Sequence, residues 1–342
     1  MVHVVRATAA DIETAVATLR NGDVVAFPTE TVYALGANAA DPRGVARVFE
    51  LKQRPTTHPL IVHVDQMRFL HRWVREMPSA AERLAAKFWP GPMTLVLPRQ
   101  PQVLDLVTGG QDTVAVRIPA HPMAQQLLTA FGGGIAAPSA NRYGRISATR
   151  ADHVREEFGD GIRILDGGDC QLGIESTIVA FVDGQVRLLR PGSITRAQIE
   201  AEIGPIVVGA AQVADAGTAD TGVPLIPRVP GSDASHYAPE TPLQIVLDQN
   251  LDARVAELAA ADERVAVLAQ RPARRALRQV TWTNAGRNVD RYTRDLYAHL
   301  RRLDSSTSTV IVVQAVPGTD AWAAVRDRLQ RASAATSAPN AH

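Results

Sequence analysis

The sequence predicts an α/β protein in two parts. Residues 1–204 read as a twisted mixed sheet with helices and a concave ligand cleft, and residues 243–332 as a small Rossmann-like parallel α/β domain. Three observations carry this. Before residue 204, short apolar runs bounded by glycine or proline mix irregularly with helical periodicities. After residue 243, strand and helix signals alternate, as a parallel sheet requires. Between them, 205–242 holds prolines at 205, 224, 227, 230, 239 and 242 around an aperiodic piece, 209–222, and reads as a proline-rich, partly mobile linker. The tail 333–342 reads as disordered.

Taken in order, residues 8–20 form a helix with Ile12, Ala15, Val16 and Leu19 on one side. Val24 to Phe27, too short for a helix and closed by Pro28, is a buried strand that delivers Thr29, Glu30, Thr31 and Tyr33 into the turn at its end. Asp41-Pro42 has the form of an N-cap followed by proline at the first helical position. Val45, Val48 and Phe49 give this helix its apolar side, and Pro55 stops it, placing Lys52 and Arg54 at a frayed end. Pro59 opens the strand Leu60-Ile61-Val62, closed by His63.

Ser79-x-x-Glu82 matches a capping box, and Met93 to Leu97 is a strand. In Asp112 to Pro119, strict alternation puts Thr113 and Arg117 on the same side of a strand. Pro122 starts a helix ending in the glycines 132–134. The short strand 135–137 then empties into Pro138-Ser139-Ala140-Asn141. Thr149 caps a helix to Phe158, and 162–165 is a strand. Residues 173–179 and 186–189 pair around Asp183-Gly184, and Thr195-x-x-Gln198 caps a helix stopped by Gly204. In the second domain, strands at 243–247, 265–268 and 309–313 alternate with helices near 250–260, 288–303 and 321–331.

Composition narrows the function. Apolar content of 46%, charged content of 21% and a net charge of +1 are those of a soluble globular protein, and argue against a polyanion-binding surface over the whole molecule. One cysteine, Cys170, excludes an intramolecular disulfide and a cysteine-only zinc site, and fits a reducing cytosol. No apolar run approaches the ~20 residues of a membrane span, and the N-terminus lacks a signal pattern, so a cytoplasmic protein with no membrane partner is expected. Of 36 basic residues only Lys52 and Lys87 are lysine. Beside Arg54, a compact ammonium and a planar guanidinium would do different jobs on a polyphosphate.

Four constellations could carry chemistry. Lys52-x-Arg54 with Ser139-x-Asn141 can neutralise a triphosphate and bond its oxygens, or be two surface cations and an ordinary loop. Thr29 and Thr31 with His63 and Arg117 can hold a small amino acid. Alternatively, Thr31 caps a strand end and His63 is a hydrogen-bonded core histidine. Arg117 lies in the apolar run V-A-V-R-I-P and needs an acidic partner or an anionic ligand. Arg190-Pro191-Gly192, with 173–179, can face an anion or pair with Glu175, and His236-Tyr237 can close as a lid or anchor the linker. Arg271, Arg274, Arg275 and Arg278 read as a solvated helix face rather than a nucleic-acid contact. There is no H-E-x-x-H, G-x-S-x-G or G-x-G-x-x-G.

The ordered set P-T-E-T-V-Y-x-L-G, K-x-R-P-x-x-x-P-L-I-V-H, W-P-G-P-x-T, D-T-V-A-V-R-x-P, A-P-S-A-N, G-x-E-S-T-I and L-R-P-G resembles the threonylcarbamoyl-AMP synthase family. The linker and second domain make the chain similar to the family's long form, a YrdC-like domain followed by a C-terminal α/β domain. The resemblance implies a nucleotidyltransferase that makes threonylcarbamoyl-AMP and pyrophosphate from L-threonine, bicarbonate and ATP, with Mg²⁺ carried by the nucleotide and no dedicated metal site. The product feeds tRNA N6-threonylcarbamoyladenosine synthesis through downstream tRNA-modifying proteins, with weak tRNA contact conceivable. By the same carry-over, Thr31, His63, Arg117, Ala137 and Ser176 hold threonine. Arg54, His58, Thr113, Ser139, Ser147 and Arg190 hold ATP, with Lys52 and Asn141 completing the signature. The linker departs from the family's P-G-M-K/R-Y-x-H-Y-A-P, leaving His236-Tyr237 as its lid residues. A carbamoyltransferase module and a non-catalytic tRNA- or double-stranded-RNA-binding protein are the alternatives.

Overall fold

The computed structural model describes residues 7–182, 184–209, 226–233 and 235–334. Asp183 of the expected hairpin turn, most of the aperiodic piece 209–222 and the tail beyond 334 lie outside these residues. The chain divides into two compact units. The first takes residues up to 142, then 148–171 and 175–232. The second takes 233 onward together with the short pieces 143–147 and 172–174.

In the first unit, α1 (Ala9–Arg20) begins with a complete Thr8/Asp11 capping box and buries the four apolar residues its periodicity picks out. It precedes β1 (Val25–Phe27) and β2 (Ala34–Asn38). Next come α2 (Pro42–Lys52), β3 (Ile61–His63), α3 (Ser79–Phe88), β4 (Met93–Pro98) and α4 (Asp105–Thr108). They are followed by β5 (Thr113–Arg117), α5 (Pro122–Phe131), β6 (Ile135–Ala136), α6 (Ala151–Phe158) and β7 (Arg163–Ile164). A hairpin of β8 (Thr177–Val182) and β9 (Gln185–Arg190), then α7 (Arg196–Ile203) and β10 (Val207–Val208), complete the unit.

Among the described residues these strands form one mixed sheet, ordered β10-β9-β8-β4-β5-β3-β6-β2-β1-β7. β3 and β5 run parallel at its centre, with His63 opposite Arg117 at their carboxyl ends. The period of two divides the side chains. Val62, Leu95, Val114, Val116 and Val179 enter the main core under the helices, while Ile61, Val96, Ala115, Ile178 and Ala180 face the other way. That second face is covered by Ile226 and Val229. The Gln111 amide fixes this segment, donating to the Arg228 carbonyl (3.1 Å) and accepting from the Arg228 N–H (2.7 Å).

The second unit is a four-stranded parallel sheet, ordered β11-β14-β12-β13. Its strands are β11 (Leu243–Val246), β12 (Val265–Ala269), β13 (Val280–Asn284) and β14 (Val310–Gln314). They are accompanied by α8 (Asp248–Ala260), α9 (Val289–Asp304) and α10 (Ala323–Ala334). Arg294, Tyr297 and Arg301 are spaced three and four apart along α9, and so share a face. The Arg294 carbonyl lies where only a glycine fits, 2.0 Å from the position a Cβ would take at Gly173. Tyr297 stacks on Tyr237, and Arg301 donates to the Ile146 and Ser147 carbonyls.

Several local expectations are corrected. Lys52 is not at a frayed end: it closes α2 with 1% exposure, and Gln53 terminates the helix in the left-handed region at φ 54°. Ser79 is the first residue of α3 rather than its cap. Pro78 occupies the cap position and offers no side-chain acceptor. Arg150 is the N-cap of α6, and Thr149 instead donates its N–H to the His153 ring. β2 and β13 lie outside the strands expected from sequence, although β13 is V-T-W-T-N and rich in strand-forming side chains. β2 is A-L-G-A-N, poor in strand-forming side chains, and exists because β1 and β6 flank it.

Candidate active site

The site is built where β3, β4, β5 and β8 bring buried polar side chains to one end of the first unit's sheet. Arg117 is 3% exposed and makes three contacts. Its Nη1 donates to Thr31 Oγ1 (2.9 Å), its Nε donates to the Gly91 carbonyl (3.1 Å), and its Nη2 lies 2.7 Å from Glu30 Oε1. The last is a close ion pair without the alignment of a hydrogen bond, so among the described residues neither Glu30 oxygen has a hydrogen-bond donor. Thr29 Oγ1 donates to the Val32 carbonyl (2.6 Å) and lies 2.7 Å from Thr31 Oγ1. With the Thr29 proton so placed, the Thr31 hydroxyl donates to Thr29 and accepts from Arg117.

His63 stands beside Arg117 in register, edge-on to Phe27, and its Nδ1 has no hydrogen-bond partner among the described residues. Burial, reinforced by the Arg117 charge, pushes its pKa down to about 3, so the ring is neutral. Ser176 precedes β8 and shares a hydroxyl pair with Thr94 of β4 (2.7 Å). Arg190 ends β9 and grips Ser176, donating to its carbonyl from Nε (3.1 Å) and Nη2 (3.0 Å) and to its hydroxyl from Nη2 (3.1 Å). Its Nη1 donates to the Pro230 carbonyl (2.8 Å). The turn after it needs Gly192, where a Cβ would stand 2.4 Å from the Thr177 nitrogen.

The second part of the site is the loop 137–141. It is laced to the turn after β1 by Leu35 N–H to Pro138 carbonyl (2.8 Å) and Ala140 N–H to Tyr33 carbonyl (2.8 Å). Ala137 N–H reaches the Ile61 carbonyl (2.9 Å). Lys52 Nζ, at the end of α2, donates to the Ser139 carbonyl (2.6 Å) and to the Asn141 carbonyl. Burial and then the neighbouring Arg54 charge hold its pKa well below the usual lysine value. Arg54 Nη2 donates to the Pro59 carbonyl (3.0 Å), closing the loop that carries the half-buried His58. Thr113 opens β5 on the same face as Arg117 and is half-buried, as is Ser139.

Of the residues singled out from sequence, the first unit holds Thr31, Lys52, Arg54, His58, His63, Thr113, Arg117, Ala137, Ser139, Asn141, Ser176 and Arg190. Ser147, His236 and Tyr237 group with the second unit. There Tyr237 is 1% exposed at φ 61°, with the Arg328 guanidinium 5.0 Å from its ring, and His236 N–H donates to the Arg331 carbonyl (3.3 Å). Two polar residues of the site were not among those expected: Glu30 and Thr94. Arg117's need for an acidic partner was the signal for Glu30, and that partner lies between Thr29 and Thr31 in the same turn. Among the described residues no cluster of three His, Cys, Asp or Glu side chains could hold a metal ion, and no helix is long and apolar enough to cross a membrane.

Known proteins share this sequence and fold. Residues 17–192 match the Sua5/YciO/YrdC family, described as "Telomere recombination", and residues 194–334 match the threonylcarbamoyl-AMP synthase C-terminal domain. The threonylcarbamoyl-AMP synthase of Pyrococcus abyssi is 38% identical over 322 residues, 92% of each chain. That of Bacillus subtilis is 39% identical over 328 residues, 94% of this chain and 92% of the relative. A crystal structure of P. abyssi Sua5 complexed with L-threonine superposes with a TM-score of 0.86 at 37% identity, covering 97% of both chains. A relative of the same name from Chromohalobacter salexigens is spanned over 96% of its length by 52% of this chain, at 38% identity. The chain belongs to the threonylcarbamoyl-AMP synthase family.

Proposed function

We propose that the protein joins L-threonine, bicarbonate and ATP into threonylcarbamoyl-AMP, releasing pyrophosphate, in the cytoplasm and for tRNA threonylcarbamoyladenosine synthesis. The observation that carries this reading is the buried Arg117, held by Thr31 and beside a neutral His63, at the end of the sheet where Ser176 also lies. A guanidinium there suits the amino-acid carboxylate, while the Thr31 and Ser176 hydroxyls and the His63 ring suit its remaining polar groups. Ala137 supports the same pocket from the end of β6.

On the nucleotide side, Arg54, His58, Thr113, Ser139 and Ser147 are the proposed ATP contacts. Lys52 shapes the Ser139–Asn141 loop by holding the Ser139 and Asn141 carbonyls, and so sets the position from which the Ser139 hydroxyl can meet phosphate. Arg190, which holds Ser176 in place, is a further proposed ATP contact. The amine of threonine takes up bicarbonate, and the resulting carbamate oxygen attacks the α-phosphate in line while pyrophosphate leaves. No protein nucleophile is required, so the acceleration comes from holding the reactants together and neutralising charge, with proximity alone contributing up to ~7–11 kcal/mol. Mg²⁺ bound to the triphosphate would supply further charge neutralisation, held mainly by the nucleotide.

The test is pyrophosphate release from protein, ATP, Mg²⁺ and bicarbonate with and without threonine. Release is expected only with threonine; release indifferent to it overturns the reading. Binding of tRNA that falls steeply with salt and ignores threonine, without turnover, would favour an RNA-binding role instead.

A further inference from the structure

We infer that Glu30 receives the ammonium of the amino-acid substrate and takes its proton, making the amine nucleophilic. The inference rests on the function proposed above and adds a residue to which that reading gives no part. Glu30 is 3% exposed, in the turn between β1 and β2. An ionised carboxylate has two oxygens with about four acceptor sites, yet among the described residues neither oxygen has a hydrogen-bond donor. Its one close cation among the described residues, Arg117 Nη2 at 2.7 Å, is out of hydrogen-bond alignment and carries on to Thr31 and Gly91 through its other nitrogens. A buried carboxylate left short of donors is costly unless something supplies them.

An ammonium supplies three donors and a positive charge. Arg117 and Glu30 are then adjacent groups of opposite sign, the pattern that matches the adjacent carboxylate and ammonium of a zwitterionic amino acid. The other groups near Glu30 do not compete for the role. His63 is neutral, His121 at the cap of α5 has its pKa lowered by burial, and the Cys170 thiol is pushed up by burial and then by the Glu30 charge. Arg117 is the permanent cation.

The step balances as follows. One ammonium proton passes to a Glu30 oxygen, freeing the nitrogen pair to bond the bicarbonate carbon. The C–OH bond then breaks and the hydroxide leaves as water with a second proton from nitrogen. Carbamate remains, and Glu30 returns its proton to solvent as the products depart.

The experiment is a pH series on full-length Glu30→Gln, with ATP binding as the check on folding. At pH 7, threonine-dependent turnover is expected to fall at least about 100-fold with the KM for ATP little changed. Without the base, the reaction must draw on the free amine present in solution. Turnover of Glu30→Gln should therefore climb about tenfold per pH unit up to the amine's own pKa, while the wild type stays flat. A deficit equal at every pH would mark Glu30 as a counter-ion of Arg117 and overturn the inference, as would wild-type turnover. If Glu30→Gln does not bind ATP, Glu30→Asp decides. It keeps the charge but withdraws the carboxylate, so a flat profile with turnover reduced tenfold or more supports the role, and a smaller loss rejects it. A wild-type protein without threonine-dependent pyrophosphate release would instead defeat the proposed function itself.

Discussion

The two units bury charge in opposite ways. In the second, Arg271 donates to Asp248 (2.9 Å) and Asp252 (2.8 Å) and lies over the Trp282 ring, and the buried Arg328 pairs with Asp327 beneath Tyr237. Its buried side-chain atoms without hydrogen bonds include neutral ones, Gln270 Nε2 and Tyr292 Oη. In the first unit such atoms include both Glu30 oxygens, Arg117 Nη2 and His63 Nδ1, gathered around one end of the sheet. The Arg271 and Arg328 charges are paired within the protein, whereas the charge proposed to serve a substrate is left with capacity. The difference separates the candidate site from the basic cluster of the second unit more sharply than charge itself does.

That contrast can be broken, beginning with the largest effect. Arg117→Met should lower threonine-dependent turnover about 10³-fold and cost about 3–5 kcal/mol of stability, because it strands Glu30 in the interior. Steady-state kinetics and denaturant unfolding measure the two, and a mild phenotype would remove Arg117 from the substrate pocket. Lys52→Met should raise the KM for ATP about 100-fold through loss of the grip on the Ser139 and Asn141 carbonyls, leaving the KM for threonine nearly unchanged.

His63→Gln acts on acid stability. Folded His63 resists protonation until about pH 3, while the unfolded side chain titrates near 6.5. Below pH 6.5 the unfolded chain binds the extra proton, so stability falls as pH drops through that window and is flat above it. The variant should lack this loss, roughly 2 kcal/mol at pH 5, in urea titrations compared at pH 5 and 7.5. The smallest effect belongs to Arg271→Met, at most about 1 kcal/mol with no change in either KM, since its aspartate partners are substantially solvated. A kinetic defect there would show that the saturated cluster also serves the reaction.

How much was legible follows the same physics. The central strands, the period of two that puts Thr113 beside Arg117's face, helix α1, and α2 and α7 with their caps are local signals and read directly from sequence. Helix α2 was readable to its end at Lys52, but the burial of that end was not, because the carbonyls of Ser139 and Asn141 that surround the ammonium come from 87 and 89 residues away. Strand β2 was silent because alanine, glycine and asparagine pair there only on tertiary demand. Glu30 was visible as a residue in the right turn. What the sequence could not show is that its oxygens would be left without donors, which is a property of the completed fold.

The Lys52 contact also bears on substitution. This chain has two lysines among 36 basic residues, so its composition runs strongly toward arginine. At position 52 that drift meets a limit of shape. The nitrogen must end as a compact tetrahedral donor between two backbone carbonyls, in a space that leaves 1% of the residue exposed. A planar guanidinium is wider and holds its donors in a fixed fork. Lys52→Arg therefore preserves charge and loses the loop, and a substitution matrix that scores the exchange as mild would misjudge this position.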